Sequence, residues 1–169
     1  MAGLPAEAVV VSQYWLLAQL ARDAGYEHYE ISNYCVPGWR SRHNQVYWRA
    51  EEYLGLGPSA CGFLGDVRYG NVKPVERYSA LLERGKSPVD QWEQVTDRQR
   101  LGERLILGLR LSDGVPLTWL EERVALDPHR LPRLLETWQA EGLLRVDDSR
   151  TRLTEAGFLL SDAIFVELL

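Results

Sequence analysis

Between Leu131 and Thr154 the apolar pattern changes its period, and this restricts the fold of the second half of the chain more than any other feature. Leu131, Leu134, Leu135 and Trp138 recur at i, i+3, i+4 and i+7, the spacing of one buried helix face. Directly after them, Gly142-Leu143-Leu144-Arg145-Val146 and Thr151-Arg152-Leu153-Thr154 read as two strands joined by a turn at Asp147-Asp148-Ser149. A helix that runs into a β-hairpin must lay both on a common core. Upstream, Thr96 stands as the N-cap of a helix over residues 97–111, whose face is Leu101, Leu105, Gly108 and Leu109. Residues 117–124 form a second short helix, Asp127-Pro128 opens the third, and a last helix starts at Glu155. Three helices and a hairpin predict a mostly helical, winged-helix-like module over residues 89–169.

The first half has a different rhythm. Pro5 sits in the first turn of a helix that Gly25 ends. Val10, Leu17, Ala21 and Ala24, flanked by Val9, Leu16 and Leu20, give that helix an apolar face expected to lie on the core. Tyr29-Glu30-Ile31-Ser32 reads as a strand, residues 33–49 as a long loop with Pro37-Gly38 as its turn, and Tyr53-Leu54-Gly55-Leu56-Gly57 as a second strand. Residues 64–74 are turn-rich with a short extended piece, residues 74–85 fit one helix, and Lys86-Ser87-Pro88 marks a domain boundary. Helix, strand, loop, strand is the order of a parallel α/β unit. Residues 1–88 are thus expected to form a partial (β/α) barrel, with chemistry on the loop after the first strand, as at the carboxyl ends of barrel strands.

Charge and composition set aside several functions. The net charge is −5, from 19 basic and 24 acidic residues, so no global field draws the chain to nucleic acid or to an anionic membrane. From Asp97 to Glu155 there are 10 arginines against 11 acidic residues, so the winged-helix-like module lacks the basic face of a DNA reader. No apolar run approaches the roughly 20 residues of a membrane span, and membrane association is not evident. The N-terminus lacks the basic-then-apolar order of a signal peptide. The two cysteines, Cys35 and Cys61, form no disulfide framework, which places the chain in a reducing cytoplasm.

The chemistry gathers between Tyr26 and Ala60. His43 lies among Tyr34, Trp39, Tyr47, Trp48 and Tyr53, with Arg40, Arg42 and Arg49 interleaved. Flat rings, guanidinium groups and an imidazole suit a large planar anionic ligand: rings stack on its faces, arginines pair with its carboxylates, and the histidine reaches a metal at its centre. Gly55 and Gly57 permit a close approach of backbone to ligand, or a tight packing turn. His28 and His129 lack this setting, since one sits at a strand entry and the other at a helix start.

The same residues carry a resemblance. Gly25-Tyr26-Glu27-His28-Tyr29-Glu30-Ile31-Ser32-Asn33-Tyr34, Pro37-Gly38, Ser41-Arg42-His43-Asn44, Tyr47-Trp48, the 53–57 segment, Ala60, Arg68, Asn71 and Leu107-Gly108-Leu109-Arg110-Leu111 resemble the radical SAM family of oxygen-independent coproporphyrinogen III oxidases. The HNxxYW signature, carried by His43, Asn44, Tyr47 and Trp48, resembles its HemW-type heme chaperone branch. The resemblance implies heme as cofactor, His43 as iron ligand, Asn44 ordering the loop, Tyr47 and Trp48 walling the porphyrin, and Arg40 or Arg42 at the propionates. It implies that strands such as 53–57, with Gly55 and Gly57, line the ligand side. The second-shell acceptor for the imidazole is unassigned, Glu30 being a candidate. Full-length members also hold S-adenosylmethionine and a [4Fe–4S] cluster on a CxxxCxxC loop. Two distant cysteines cannot supply that three-thiolate cradle, so the chain resembles only the C-terminal portion and is not competent for radical chemistry alone. Expected partners are heme or porphyrin, the missing N-terminal barrel half or a second copy of the chain, and heme-recipient proteins. Porphyrin biosynthesis, through coproporphyrinogen oxidation, is the alternative within the family. A winged-helix DNA-binding protein is the distant one.

Overall fold

The computed structural model describes residues 5–168. Helix α1 (Glu7–Asp23) runs to Gly25, whose φ of +80° closes it as expected. The expected core face is not buried. Of the whole helix only Ala18 is buried, while Val9, Val10, Leu16, Leu17 and Leu20 are exposed. The helix is apolar nearly all round, and the narrow side that packs is the one carrying Tyr14 and Ala18. There Tyr14 Oη donates to the Glu155 carbonyl at 3.2 Å, and Arg22 pairs with the Glu155 carboxylate at 2.5 Å.

Strand β1 (Glu27–Glu30) turns back into β2 (Asn33–Cys35) as an antiparallel hairpin. The segment expected as one long loop therefore contains a strand, and it also contains helix α2 (Arg42–Trp48). Ser41 caps that helix, its Oγ accepting the Asn44 N–H at 3.3 Å. Seven residues are too few for a helical period to show against the loop residues on either side.

The strand expected at 53–57 shrinks to one bridge, Tyr53 to Phe63. The extended strands lie later: β3 (Cys61–Leu64) and β4 (Val67–Asn71), joined through Gly65, the second inside the segment read as turn-rich. Helix α3 (Val75–Glu83) follows as expected, and β5 (Val89–Gln94) then pairs with β4, so that this sheet runs across residue 88. Its order is β3-β4-β5, antiparallel throughout. The parallel rhythm read from the sequence is not realised: every strand pair among the described residues is antiparallel, in small sheets that close no barrel. A sequence period specifies strands but not their pairing, and here tight turns decide it.

From Thr96 onward the sequence reading holds closely. Helix α4 (Asp97–Gly108) opens with a capping box, the Thr96 N–H donating to Gln99 Oε1 at 2.9 Å and Thr96 Oγ1 accepting the Gln99 N–H at 3.4 Å. After it come β6 (Val115–Pro116), α5 (Leu117–Leu126), α6 (Leu131–Ala140), β7 (Leu144–Val146), β8 (Arg150–Leu153), α7 (Glu155–Leu159) and α8 (Ser161–Leu168). The expected last helix thus breaks at Leu160, where α7 ends. The sheet order is β6-β8-β7. Leu105, Leu131, Val115, Leu153, Ile164 and Leu168 anchor the core that all these elements share. Gly114 is required where α4 returns to the sheet: its φ is +65°, and a Cβ there would stand 2.1 Å from the Thr151 carbonyl oxygen.

The two halves meet where the Leu107–Leu111 segment passes β1. Glu30 bridges to Leu111, the Ile31 N–H donates to the Arg110 carbonyl at 3.1 Å, and the Ser112 N–H donates to the Tyr29 carbonyl at 3.0 Å. Pieces far apart in the chain are in this way zipped backbone to backbone.

Candidate functional site

Helix α2 lifts His43 to the surface. The imidazole is exposed, and one turn on, the Tyr47 hydroxyl lies 3.2 Å from its Nε2. The two rings meet edge-on at 4.9 Å between centroids, and Tyr47 meets Tyr53 in the same way at 4.7 Å. Tyr47 is thus braced from behind and in turn braces the histidine, leaving Nδ1 with no hydrogen bond among the described residues. Glu30 does not act as the second-shell acceptor: its buried carboxylate accepts from Asn33 Nδ2. Asn44 takes part through its backbone, as the N–H that Ser41 caps.

Trp48 faces inward from the same helix. It packs on Tyr29, Cys35 and Leu111, with the Arg110 guanidinium 4.6 Å from its ring centroid. Arg40 also turns inward, pairing with Glu27 and, at 2.7 Å, with Asp113. The hydrogen bonds it donates to Glu27 and then Asp113 raise its pKa above the usual arginine value. It clamps β1 to the start of the second half rather than standing free for a ligand. Arg42 is exposed and is in no ion pair among the described residues. Of the two candidate arginines, only Arg42 presents an open guanidinium.

Gly55 and Gly57 serve packing. A Cβ on Gly55 would lie 2.4 Å from the Cys61 carbonyl carbon, and Gly57 has φ +105°. Asn71 Nδ2 donates to both their carbonyls, at 3.0 and 2.9 Å, while the Tyr69 and Tyr78 hydroxyls accept their N–H groups. Asn71, present in the sequence pattern without a stated role, is the residue that fixes this turn. Cys35 is buried, its thiol pKa raised by burial and by Glu27 beside it, and Cys61 is exposed; both are free thiols. Behind Tyr47 and Tyr53, a cavity of about 260 Å³ opens between α2 and α4, walled by Phe63, Ile106 and Leu107 and edged by Arg68 and Glu103, which pair at 2.6 Å. His43 does not line it.

Residues 95–160 match the family described as the HemN C-terminal domain. Over 98% of its length the chain is 36% identical to the heme chaperone HemW of Mycobacterium tuberculosis and 32% identical to that of Lactococcus lactis. The chain is thus similar along nearly its whole length to HemW heme chaperones, and its second half to the HemN C-terminal domain. It covers 40% and 44% of those two relatives, so it spans less than half the length of the proteins it matches. A solved structure of coproporphyrinogen III oxidase (HemN) from Escherichia coli, described as a radical SAM enzyme, shares the fold at a TM-score of 0.74 and 18% identity, over 98% of this chain and 42% of that one. The mixed helix-and-small-sheet architecture is therefore a HemN-like one.

Proposed function

We propose that the chain is the C-terminal part of a HemW-type heme chaperone and that His43 supplies the iron ligand. The observation that carries this is an exposed imidazole on a capped helix, with one nitrogen held by Tyr47 and the other open. That is the donor arrangement an axial ligand needs, with Tyr47 in the orienting place. The relatives named as heme chaperones support the class of cargo. The cavity behind Tyr47 is too small for a tetrapyrrole, so the heme lies on the open face of α2. There Arg42 is placed for a propionate, and the exposed Trp39 offers an aromatic edge. Trp48 supports the face from below.

Porphyrinogen oxidation is the second reading within the family. It requires a three-cysteine cluster loop that this chain's two cysteines do not provide. S-adenosylmethionine and the cluster accordingly belong to the remainder of longer relatives. The order α4, β6, α5, α6, β7, β8 and the sheet order β6-β8-β7 support a winged-helix-like second module. Both β5 pairing with β4 and the family match beginning at residue 95 favour dividing the modules after β5 rather than at 88. DNA reading is disfavoured, since Arg130 is engaged by Asp127 and Glu167. Partner docking fits better, with the remaining barrel half, a second copy or a heme recipient as occupants. No helix among the described residues is long and apolar enough to cross a membrane. A heme titration followed at the Soret band tests the reading. His43→Ala changes the spectrum, Arg42→Ala weakens binding without changing it, and an unchanged His43→Ala spectrum and affinity overturns the assignment.

A further inference from the structure

Between α1, the β1–β2 turn and the α7–α8 junction lies a groove of about 430 Å³, on residues that the heme reading does not use. Tyr14, Leu17, Ile31 and Phe158 give it apolar walls; Tyr34, Arg110, Ser161 and Asp162 supply its polar groups. Two of these are donors left unsatisfied. Tyr34 Oη and Arg110 Nε are both buried and make no hydrogen bond among the described residues. A buried donor left without a partner keeps its full desolvation cost. Arg40, Arg68 and Arg100 are each paired with carboxylates, whereas Arg110 has no ion pair among the described residues and is instead held between the Trp48 and Phe165 rings, 4.6 and 5.8 Å from their centroids. A guanidinium fixed flat by aromatic rings loses little rotamer freedom when it takes up an oxyanion. Ser161 and Asp162, which open α8, line the same groove.

We infer that this groove is a binding site for a small carboxylate- or phosphate-bearing molecule with an apolar body. Arg110 is the charged anchor, Tyr34 the neutral donor, and the Tyr14–Phe158 walls take the apolar part. Asp162 at the rim, negative itself, selects against a fully exposed polyanion and for a single anionic group that reaches in to Arg110. Binding here spans α1, the β1–β2 turn with β2, and the α7–α8 junction, so it ties the first half of the chain to the second.

Acetate and inorganic phosphate are the probes, added separately to the isotope-labelled chain at constant ionic strength with chloride as the balancing anion. The Arg110 Nε–H and Trp48 Nε1–H signals report in nitrogen-edited spectra. Saturable shifts with one or both probes, absent with chloride, are expected, and the probe that saturates names the anion class. Tyr34→Phe, which keeps the ring, should weaken that saturation about fivefold or more, and Arg110→Gln should abolish it at the Trp48 signal. Shifts that never saturate, or that chloride reproduces, overturn the inference. So does saturation that Tyr34→Phe leaves unchanged, because the two donors then serve the packing alone. The His43→Ala chain should respond as the wild type does, which separates this site from the heme reading.

Discussion

The two halves of the molecule use their apolar residues in opposite ways. After Val95, leucines, isoleucine and phenylalanines from five helices and a three-stranded sheet converge on one core. Before it, the buried cluster is Tyr29 and Cys35 with Leu111 from the other half, while α1 displays its leucines and valines to the surface and every residue of β5 is exposed. The second half holds itself together. The first leans on the second through backbone pairing at Leu111 and the Arg40 clamp, and keeps most of its lysines and arginines on the outside. Stability and the proposed heme chemistry are thus separated along the chain: residues that fold it lie mostly past 95, and residues proposed to hold heme lie before 60.

Several substitutions break or sharpen this contrast. Leu131→Ala removes a side chain with 0% exposure from the centre of the core, and denaturant unfolding should show a loss of about 3 kcal/mol. Arg40→Met leaves Glu27 and Asp113 without their cation. It should cost about 1–2 kcal/mol, with faster amide exchange at Ser112 and Ile31 as the local sign that β1 has loosened. Thr96→Ala deletes one side of the capping box and should cost about 1 kcal/mol, read as a lower unfolding midpoint. Leu16→Gln together with Leu20→Gln should change stability by less than about 0.5 kcal/mol each, because both side chains are already exposed. A loss as large as that of Leu131→Ala would show that α1 belongs to the folding core after all.

The smallest effect is a pH dependence in the β7–β8 turn. N–H groups of Ser149 and Arg150 and the Ser149 hydroxyl hold the Asp147 carboxyl down to a pKa of about 2. A depressed folded pKa stabilises the turn at pH above the unfolded carboxylate value of 3.8, and the contribution fades as pH falls from there through about 2. The protection of the Ser149 and Arg150 amides, taken relative to the intrinsic exchange rate at each pH, should fall across that window. In Asp147→Asn that protection should be insensitive to the same change of pH.

What was legible in the sequence follows the same division. The Thr96 N-cap, the Leu131–Trp138 periodicity and the turn at 147–149 are local signals, and each became the expected element. The first half offered fewer local signals. Helix α2 was hidden because seven residues capped by Ser41 carry too short an apolar pattern to be seen. Gly55 and Gly57 suggested a ligand-lining strand, yet their role depends on Asn71 and Cys61, which only tertiary structure brings near. The face of α1 was read as core because periodicity reports apolarity and says nothing of whether a partner surface is present. His43 was found through its neighbours in sequence. Its brace, Tyr47, was read as a porphyrin wall, and Arg110, distant in the chain, had no assigned role at all.

The claim that folding and heme chemistry reside in different halves is tested most directly by cutting between them. Residues 95–169 are prepared alone beside the full chain, and both are followed by far-ultraviolet circular dichroism during denaturation and by heme titration. The account predicts a cooperative, helical unfolding transition for the shorter piece with no Soret change on adding heme, and a saturable Soret change for the full chain that His43→Ala alters. A shorter piece that is unfolded, or that binds heme as the full chain does, would contradict it.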